Sequence, residues 1–335
     1  MAKYNKITAE LAEKLKAIVG EDRFYFDGSI PEDYCHDEMP IYGKRFPEAV
    51  CEVESTEEVA AIMKLCNENL IPVTPRGAGT GLVGGAVALN GGVIICTARM
   101  NKILSYDMKN LCVHTQVGVR LCDLAADAQA HGLFYPPDPG SMSVSTMGGN
   151  IAENSGGLRG LKYGTTKKYV LGLEVLTETG EAMTTGVCGK GCSLGYNLTE
   201  LLVASEGTLA LTSKAVLKLV MPPKASKAMM AIFPDVRRAS QASKAMMAVF
   251  DDVQKASEAV SRIIAARILP CTLEFMDNAT INYVEDYVNI GLPRDAGSIL
   301  LIEVDGHPAQ VADEALSVEK VLKDSGANEV VVAKD

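Results

Sequence analysis

Residues 71–92, IPVTPRGAGTGLVGGAVALNGG, constrain this chain more than any other stretch. A short apolar strand with Ile71 and Val73 runs into Arg76, and Gly77, Gly79, Gly81, Gly84 and Gly85 follow. Glycine takes positive φ and puts no Cβ between backbone and ligand. Successive N–H groups in such a loop form a nest for an anion, most often a phosphate. The stretch therefore points to the pyrophosphate of a dinucleotide. Gly79, Gly81 and Gly84 also fit a GxGxxG pattern, but the Rossmann form needs a helix opening at the loop and an acidic residue about 20 positions on. Here the run leads into a second strand at Val93–Cys96, and the acidic slot falls near Arg99 and Met100. The other alternative is a flexible surface loop. The strands on both sides and the scarcity of polar spacers weigh against it.

The 335 residues, 47% of them hydrophobic, can bury a real core and fill two domains. A net charge of −10 without a basic cluster argues against nucleic acid and anionic membrane as partners. The N-terminus has no apolar signal core, and the weakly polar run from Ala78 to Ala98 is broken by glycines and Asn90. Neither a secretory leader nor a membrane span is expected. Nine cysteines, an odd number without a CxxC, read as reduced thiols of a cytoplasmic protein. Cys188 and Cys192 share a glycine-rich loop, but no second pair completes a ligand set. The four histidines form no ligand pattern, so no metal is assigned.

Residues 8–19 have the spacing of an amphipathic helix, with Thr8 as its cap and Leu11, Leu15, Ile18 and Val19 on one face. Residues 20–48 are rich in turns and are expected to wrap the outside of the domain. A β-α-β unit follows. Its strand is 49–53, and its helix is opened by a capping box of Ser55 and Glu58 with Val59, Ile62, Met63 and Cys66 inward. Its return strand delivers the glycine loop. Strands are expected at 93–97, 111–117, 170–177 and 216–220, with a further one after Leu209, and helices at 121–131 and 198–204.

Residues 136–164, PPDPGSMSVSTMGGNIAENSGGLRGLKYG, form a second glycine-rich stretch. Ser145 and Thr146 precede Gly148 and Gly149, and a short helix there would offer free N–H groups to an anion. Two such loops suit the two sides of one large cofactor; two independent turns are the alternative. Pro222 and Pro223 read as a domain boundary. Beyond it, residues 226–242 (SKAMMAIFPDVRRASQA) recur almost unchanged as residues 243–259 (SKAMMAVFDDVQKASEA). Only the second copy runs into a long helical pattern, so it is expected to hold a strand slot. The first is left as an edge strand, a helix or an inserted loop. The order that follows reads as a ferredoxin-like β-α-β-β-α-β plan, an antiparallel sheet with helices on one face.

Three segments carry a resemblance to a known family: PVTPRGAGTGLVGGAV, YPPDPGSMSVSTMGGNIAENSGGLRGLKYGTTKKYVLGLEVLTETGE and GYNLTELLVASEGTLALTSKAVLKL. They resemble the FAD-binding domain of the vanillyl-alcohol-oxidase and para-cresol-methylhydroxylase (PCMH) type. Within that family they are most similar to the flavoprotein subunits of D-lactate dehydrogenase and glycolate oxidase and to the D-2-hydroxyglutarate dehydrogenases. The likeness runs over about residues 32–335. It implies an α+β protein: a wrapping segment at 1–45, a PCMH-type FAD-binding domain of two α+β subdomains at 46–222, and a ferredoxin-like cap at 223–335. The tandem repeat at 226–259 would sit at the hinge.

Residue by residue, the resemblance implies that Arg76, Gly77, Ala78, Gly79, Thr80 and Gly81 give backbone N–H groups to the FAD pyrophosphate. Pro139, Gly140 and Ser141 would line the cofactor's other side, and Thr146, Gly149 and Asn150 would continue that wall. Asn154 to Gly157 would approach the flavin ring, and Glu206 and Gly207 would sit near the adenosine half. Some relatives attach FAD through a histidine in the first loop; Thr80 stands at that place here, which implies non-covalent FAD. The histidine- and glycine-rich segment that binds substrate in relatives is not in this sequence, so the cap is expected to be incomplete and no catalytic residue is assigned. The implied reaction is oxidation of a D-2-hydroxy acid to the 2-oxo acid, with electrons passed to an electron-transfer flavoprotein or an iron–sulfur subunit. The alternative is an FAD-holding, non-catalytic or relay subunit of a larger complex.

Overall fold

Thr8 does cap the first helix: its hydroxyl accepts the Leu11 N–H at the start of α1 (Ala9–Val19), and Leu15 and Val19 are buried beneath it. The computed structural model describes residues 4–186, 195–232, 248–250, 253–327 and 329–332. The chain divides into two units, one of Met1–Ser155 with Thr165–Met221, the other of Gly156–Gly164 with Pro222–Asp335.

In the first unit, β1 (Phe24–Phe26) pairs antiparallel with β2 (Ala49–Glu52). The β-α-β unit then forms as its sequence dictates. Ser55 Oγ accepts the Glu58 N–H at the start of α2 (Thr56–Glu68), and Val59, Ile62 and Cys66 are buried. The reciprocal half of the capping box differs from expectation. Glu58 Oε2 accepts the N–H of Glu54 rather than that of Ser55, and the carboxylate also forks onto Arg23. The chain returns as β3 (Val73–Arg76), and β4 (Val93–Cys96) lies between β2 and β3, parallel to both.

A second sheet takes up β5 (Ile103–Asp107), β6 (Cys112–Gln116) and later strands. Between them come α3 (Leu121–Ala130) and α4 (Met147–Glu153). The chain then leaves this unit for residues 156–164, which include the single turn α5 (Gly160–Tyr163). It returns with β7 (Val170–Leu176), β8 (Ala182–Gly186), α6 (Leu198–Leu202) and β9 (Leu211–Lys218). The sheet order is β5-β6-β9-β7-β8, all antiparallel. One strand, β9, stands where the sequence suggested two. Cys188 and Cys192 lie outside the described residues.

The two sheets share one core, in which Leu176 and Leu211 of the second pack with Cys51 and Ile95 of the first and with Ile62 of α2. A polar tie crosses the same boundary. Glu174 accepts from Thr56 Oγ1 and Ser213 Oγ, both at 2.7 Å, and from Lys214. Burial alone would raise that carboxyl; the three donors outweigh it and hold it below the ordinary range.

The second unit carries β10 (Ala225–Ile232), β11 (Ala248–Phe250), α7 (Val253–Ala265), β12 (Thr272–Asp277), α8 (Asn278–Val288), β13 (Ser298–Gly306), α9 (Pro308–Asp324) and β14 (Glu329–Val332). Strands β14, β11, β13 and β12 lie side by side in that order. This is the expected ferredoxin-like plan, with α8 added between β12 and β13. Ala256, Ala259 and Ile263 of α7 and Val311, Ala315, Val318 and Leu322 of α9 recur at helical spacing and bury against Ile299, Leu300, Ile302 and Val304 of β13. Both copies of the repeat supply strand: the first gives β10 and the second β11. The second copy is therefore not sole holder of the slot.

Candidate functional site

The first glycine loop is shaped by a side chain that turns back beneath it. Arg76, at the end of β3, is 7% exposed. Its guanidinium donates to the carbonyls of Asp33 at 2.6 Å and His36 at 2.8 Å, with the Tyr34 ring centroid at 5.7 Å. Gly79 has φ +75°, and a Cβ there would lie 2.0 Å from Arg76 Nη2. Both the turn and the packing thus demand glycine. Asp37, also buried, accepts the Gly84 N–H at 2.8 Å, and Glu38 N donates to the Gly81 carbonyl. Residues 33–38, read from sequence as an outer wrap, are the floor of this loop.

Above that floor, the main-chain N–H groups of residues 78–83 have no acceptor among the described residues. Consecutive unpaired donors in a half-sheltered loop are the chemistry of an anion nest.

The second glycine stretch abuts the first. A Cβ on Gly77 would fall 2.2 Å from Thr146 Oγ1 and 3.7 Å from Gly149 N. Thr146 caps α4, its hydroxyl taking the Gly149 N–H. The buried Asn150 side chain donates to Ser145 Oγ and to the Thr146 carbonyl. The expectation of free N–H groups on this helix is corrected, however. Met147 N donates to Val119 O, Gly148 N to Val117 O, and Asn150 N to Thr146 O. The helix start is thus satisfied by the segment that follows β6 and by its own cap, whereas the first loop keeps its donors open. Residues 139–145 form the turn before α4, pinned to α3 by Leu121 N on Ser145 O and Cys122 N on Met142 O.

The far end of α4 gathers the third motif. Asn154 closes the helix in the left-handed region, and its Oδ1 accepts the Lys167 N–H. Ala204 N and Glu206 N donate to the carbonyls of Ile151 and Ala152, and a Cβ on Gly207 would meet Pro75 at 2.4 Å. Arg76–Gly81, Thr146–Asn154 and Glu206–Gly207 therefore surround one place in the first unit. A Cβ on Gly85 would stand 3.3 Å from Glu153 Oε1 and 3.6 Å from Glu206 Oε2. Burial, then the charges of Glu206 and Asp37, push the Glu153 carboxyl up. Gly157 belongs to the second unit. There Lys162 Nζ donates to the Asp305 carbonyl at 2.6 Å, and Lys162 and Tyr163 both reach the buried Asp305 carboxylate.

Sequence reasoning missed Asp37, Glu153 and the side-chain role of Arg76. Arg76 is joined to Asp33 and His36, and Asp37 to Gly84, across separations of 40 to 47 residues that no local spacing encodes. Among the described residues there is no cluster of metal ligands and no helix long and apolar enough to cross a membrane. The seven described cysteines are free thiols.

Residues 47–186 match the family model of an FAD binding domain, and residues 223–335 match that of the FAD linked oxidases, C-terminal domain. The chain is 40% identical to the glycolate oxidase subunit GlcD of Bacillus subtilis, over 98% of its own length and 66% of the relative's. It is also 40% identical to a D-lactate dehydrogenase of Anaerostipes hadrus, over 98% and 67%. It thus spans about two thirds of the length of these relatives. Among solved structures it shares its fold with an alkyldihydroxyacetonephosphate synthase, at TM-score 0.77 and 21% identity over all of this chain and 63% of that one. It also shares it with p-cresol methylhydroxylase, at TM-score 0.73 and 18% identity over 96% and 65%.

Proposed function

The chain belongs to the family of FAD-linked oxidoreductases with a PCMH-type FAD-binding domain, and from that premise we propose that it binds FAD non-covalently and serves the oxidation of a D-2-hydroxy acid of the lactate or glycolate type. The observation that carries the reading is the run of unpaired N–H groups at residues 78–83, set against Thr146 and Gly149.

The residues present fit the cofactor. Backbone donors from Arg76 to Gly81 would hold its pyrophosphate, as a point-charge-free cradle for an anion. Thr146, Gly149 and Asn150 form the adjoining wall, and Pro139, Gly140 and Ser141 continue it. Asn154 and Gly157 are assigned to the flavin end, Glu206 and Gly207 to the adenosine end. The carboxylates of Glu153 and Glu206 beside Gly85 suit sugar hydroxyls, which donate, rather than phosphates, which do not. Thr80 offers no nucleophile for a histidyl-type attachment. Bound FAD supplies the two-electron redox chemistry; the protein's share is to bind it and exclude competing groups. Electrons would leave to an electron-transfer flavoprotein or an iron–sulfur subunit. We place the protein in the cytoplasm, in keeping with its free thiols.

The test is direct. The purified protein is expected to show the visible absorption of flavin, and acid precipitation should release all of it into the supernatant. Flavin that stays with the precipitate refutes non-covalent binding. Under anaerobic conditions D-lactate or glycolate should bleach the spectrum. A flavin reduced by dithionite but by neither acid would instead identify a cofactor-holding relay subunit.

A further inference from the structure

The duplicated 17-mer meets the rest of its sheet in an unusual way. Strand β10, from the first copy, pairs antiparallel with β13 from Ala225↔Gly306 to Ala231↔Leu300. Strand β11, from the second copy, pairs with the same β13 from Ala248↔Leu300 to Phe250↔Ser298. Ala231 and Ala248 are the same residue of the repeat, each the last alanine of SKAMMA. Both face Leu300. The agreement repeats on the other neighbour, where Ala231 and Ala248 both face Val330 of β14. Measured in the frame of the repeat, the two copies thus have one register on β13 and one on β14.

A strand has two edges. One edge of β13 is taken by β12, which sets Phe275 against Leu300. The other edge of β13 is lined by β10 from Gly306 to Leu300 and by β11 from Leu300 to Ser298, so the two copies share one lane and meet between Leu300 and Val330. Register is set by the side-chain pattern, and SKAMMA is identical in the two copies, while the next residues are Ile-Phe and Val-Phe. Within the paired stretches only Ile232 against Val249 distinguishes one occupant from the other. The length of connecting chain before and after the slot differs between the two arrangements, and that cost grows only slowly with length.

We propose that the two copies are interchangeable occupants of one strand position between β13 and β14, so that the cap sheet closes equally well with either and always has a spare. The inference rests on backbone register and sequence identity, and is independent of the flavin reading.

The test is a proline cycle read by thermal melting of the full chain. Proline cannot sit in an interior strand, since it removes a ladder donor. Ala231→Pro alone and Ala248→Pro alone should each melt within about 2 °C of the parent, because the intact copy takes the slot. The double variant has no competent copy and should melt about 10 °C lower or lose its cooperative transition. A single variant that falls as far as the double shows that the slot has one owner and overturns the proposal; so does a double that melts like the parent. As a check free of proline, proteins lacking either 226–242 or 243–259 should melt alike and like the parent. Failure of either single-copy protein to fold would also overturn it.

Discussion

At the scale of single residues, the site is decided by where a Cβ has room. Gly77→Ala would drive a methyl into Thr146 Oγ1, 2.2 Å from the ideal position. Overpacking of this kind costs about 1–3 kcal/mol, and it pushes apart the two walls of the proposed cradle. We expect a stable but loosened protein whose FAD affinity falls by about tenfold or more, measured by flavin fluorescence during reconstitution. Wild-type affinity in this variant would mean that the cofactor does not lie between these walls. Glu153 gives a pH prediction. Its carboxyl is pushed up by burial and by Glu206 and Asp37, so the folded state binds its proton more tightly than the unfolded state does. Stability from this group is therefore gained as pH falls through the raised value and lost as pH rises through it. As pH falls from neutral toward the ordinary carboxylate range, the parent's melting temperature should rise relative to that of Glu153→Gln, which lacks this group's contribution. A parallel pair of curves would refute the assignment. These residues also mark the limit of sequence reading. The glycines declared themselves by type, but Asp37 became part of the loop only through a contact with Gly84, and the buried path of Arg76 toward Asp33 and His36 leaves no local signature.

At the scale of elements, legibility followed the strength of the local pattern. Helices α1 and α2 were readable because a capping hydroxyl and an apolar stripe agree in each. Strand β5 was missed: its exposed Leu104 and Ser105 break any alternation. Strand β9 was split because Ser213 and Lys214 look like a break, yet Ser213 is fully buried against Glu174. Helix α4 is legible in sequence but the fate of its first N–H groups is not, because the carbonyls of Val117 and Val119 that satisfy them come from the segment after β6, some thirty residues away. The cap itself remains testable. Thr146→Ala removes the acceptor of the Gly149 N–H and should destabilise the protein by about 1 kcal/mol. Thr146→Ser should recover most of that loss in chemical denaturation. If serine is no better than alanine, the hydroxyl does not cap the helix.

At the scale of the whole molecule, the chain passes between the two units three times, at Ser155/Gly156, Gly164/Thr165 and Met221/Pro222. The last crossing is an ordinary linker, marked in sequence by Pro222 and Pro223. The first two are not visible in sequence, because the excursion they bound looks like a continuation of the second glycine stretch. What holds the excursion in the second unit is Asp305, at the end of β13, whose carboxylate takes Lys162 and Tyr163 together. Breaking a buried ion pair from one side leaves the other partner uncompensated, at a cost of about 3–5 kcal/mol. A fragment ending at Met221 would lack Asp305 altogether and so would leave residues 156–164 without their anchor. Trypsin should then cut this fragment at Arg159 or Lys162 much faster than it cuts the intact protein. Asp305→Asn in the full chain should fall between them, since the amide keeps a hydrogen-bond acceptor but not the charge. Equal cleavage rates in all three would show that the excursion is held by its own unit and not by the strand that ends in Asp305.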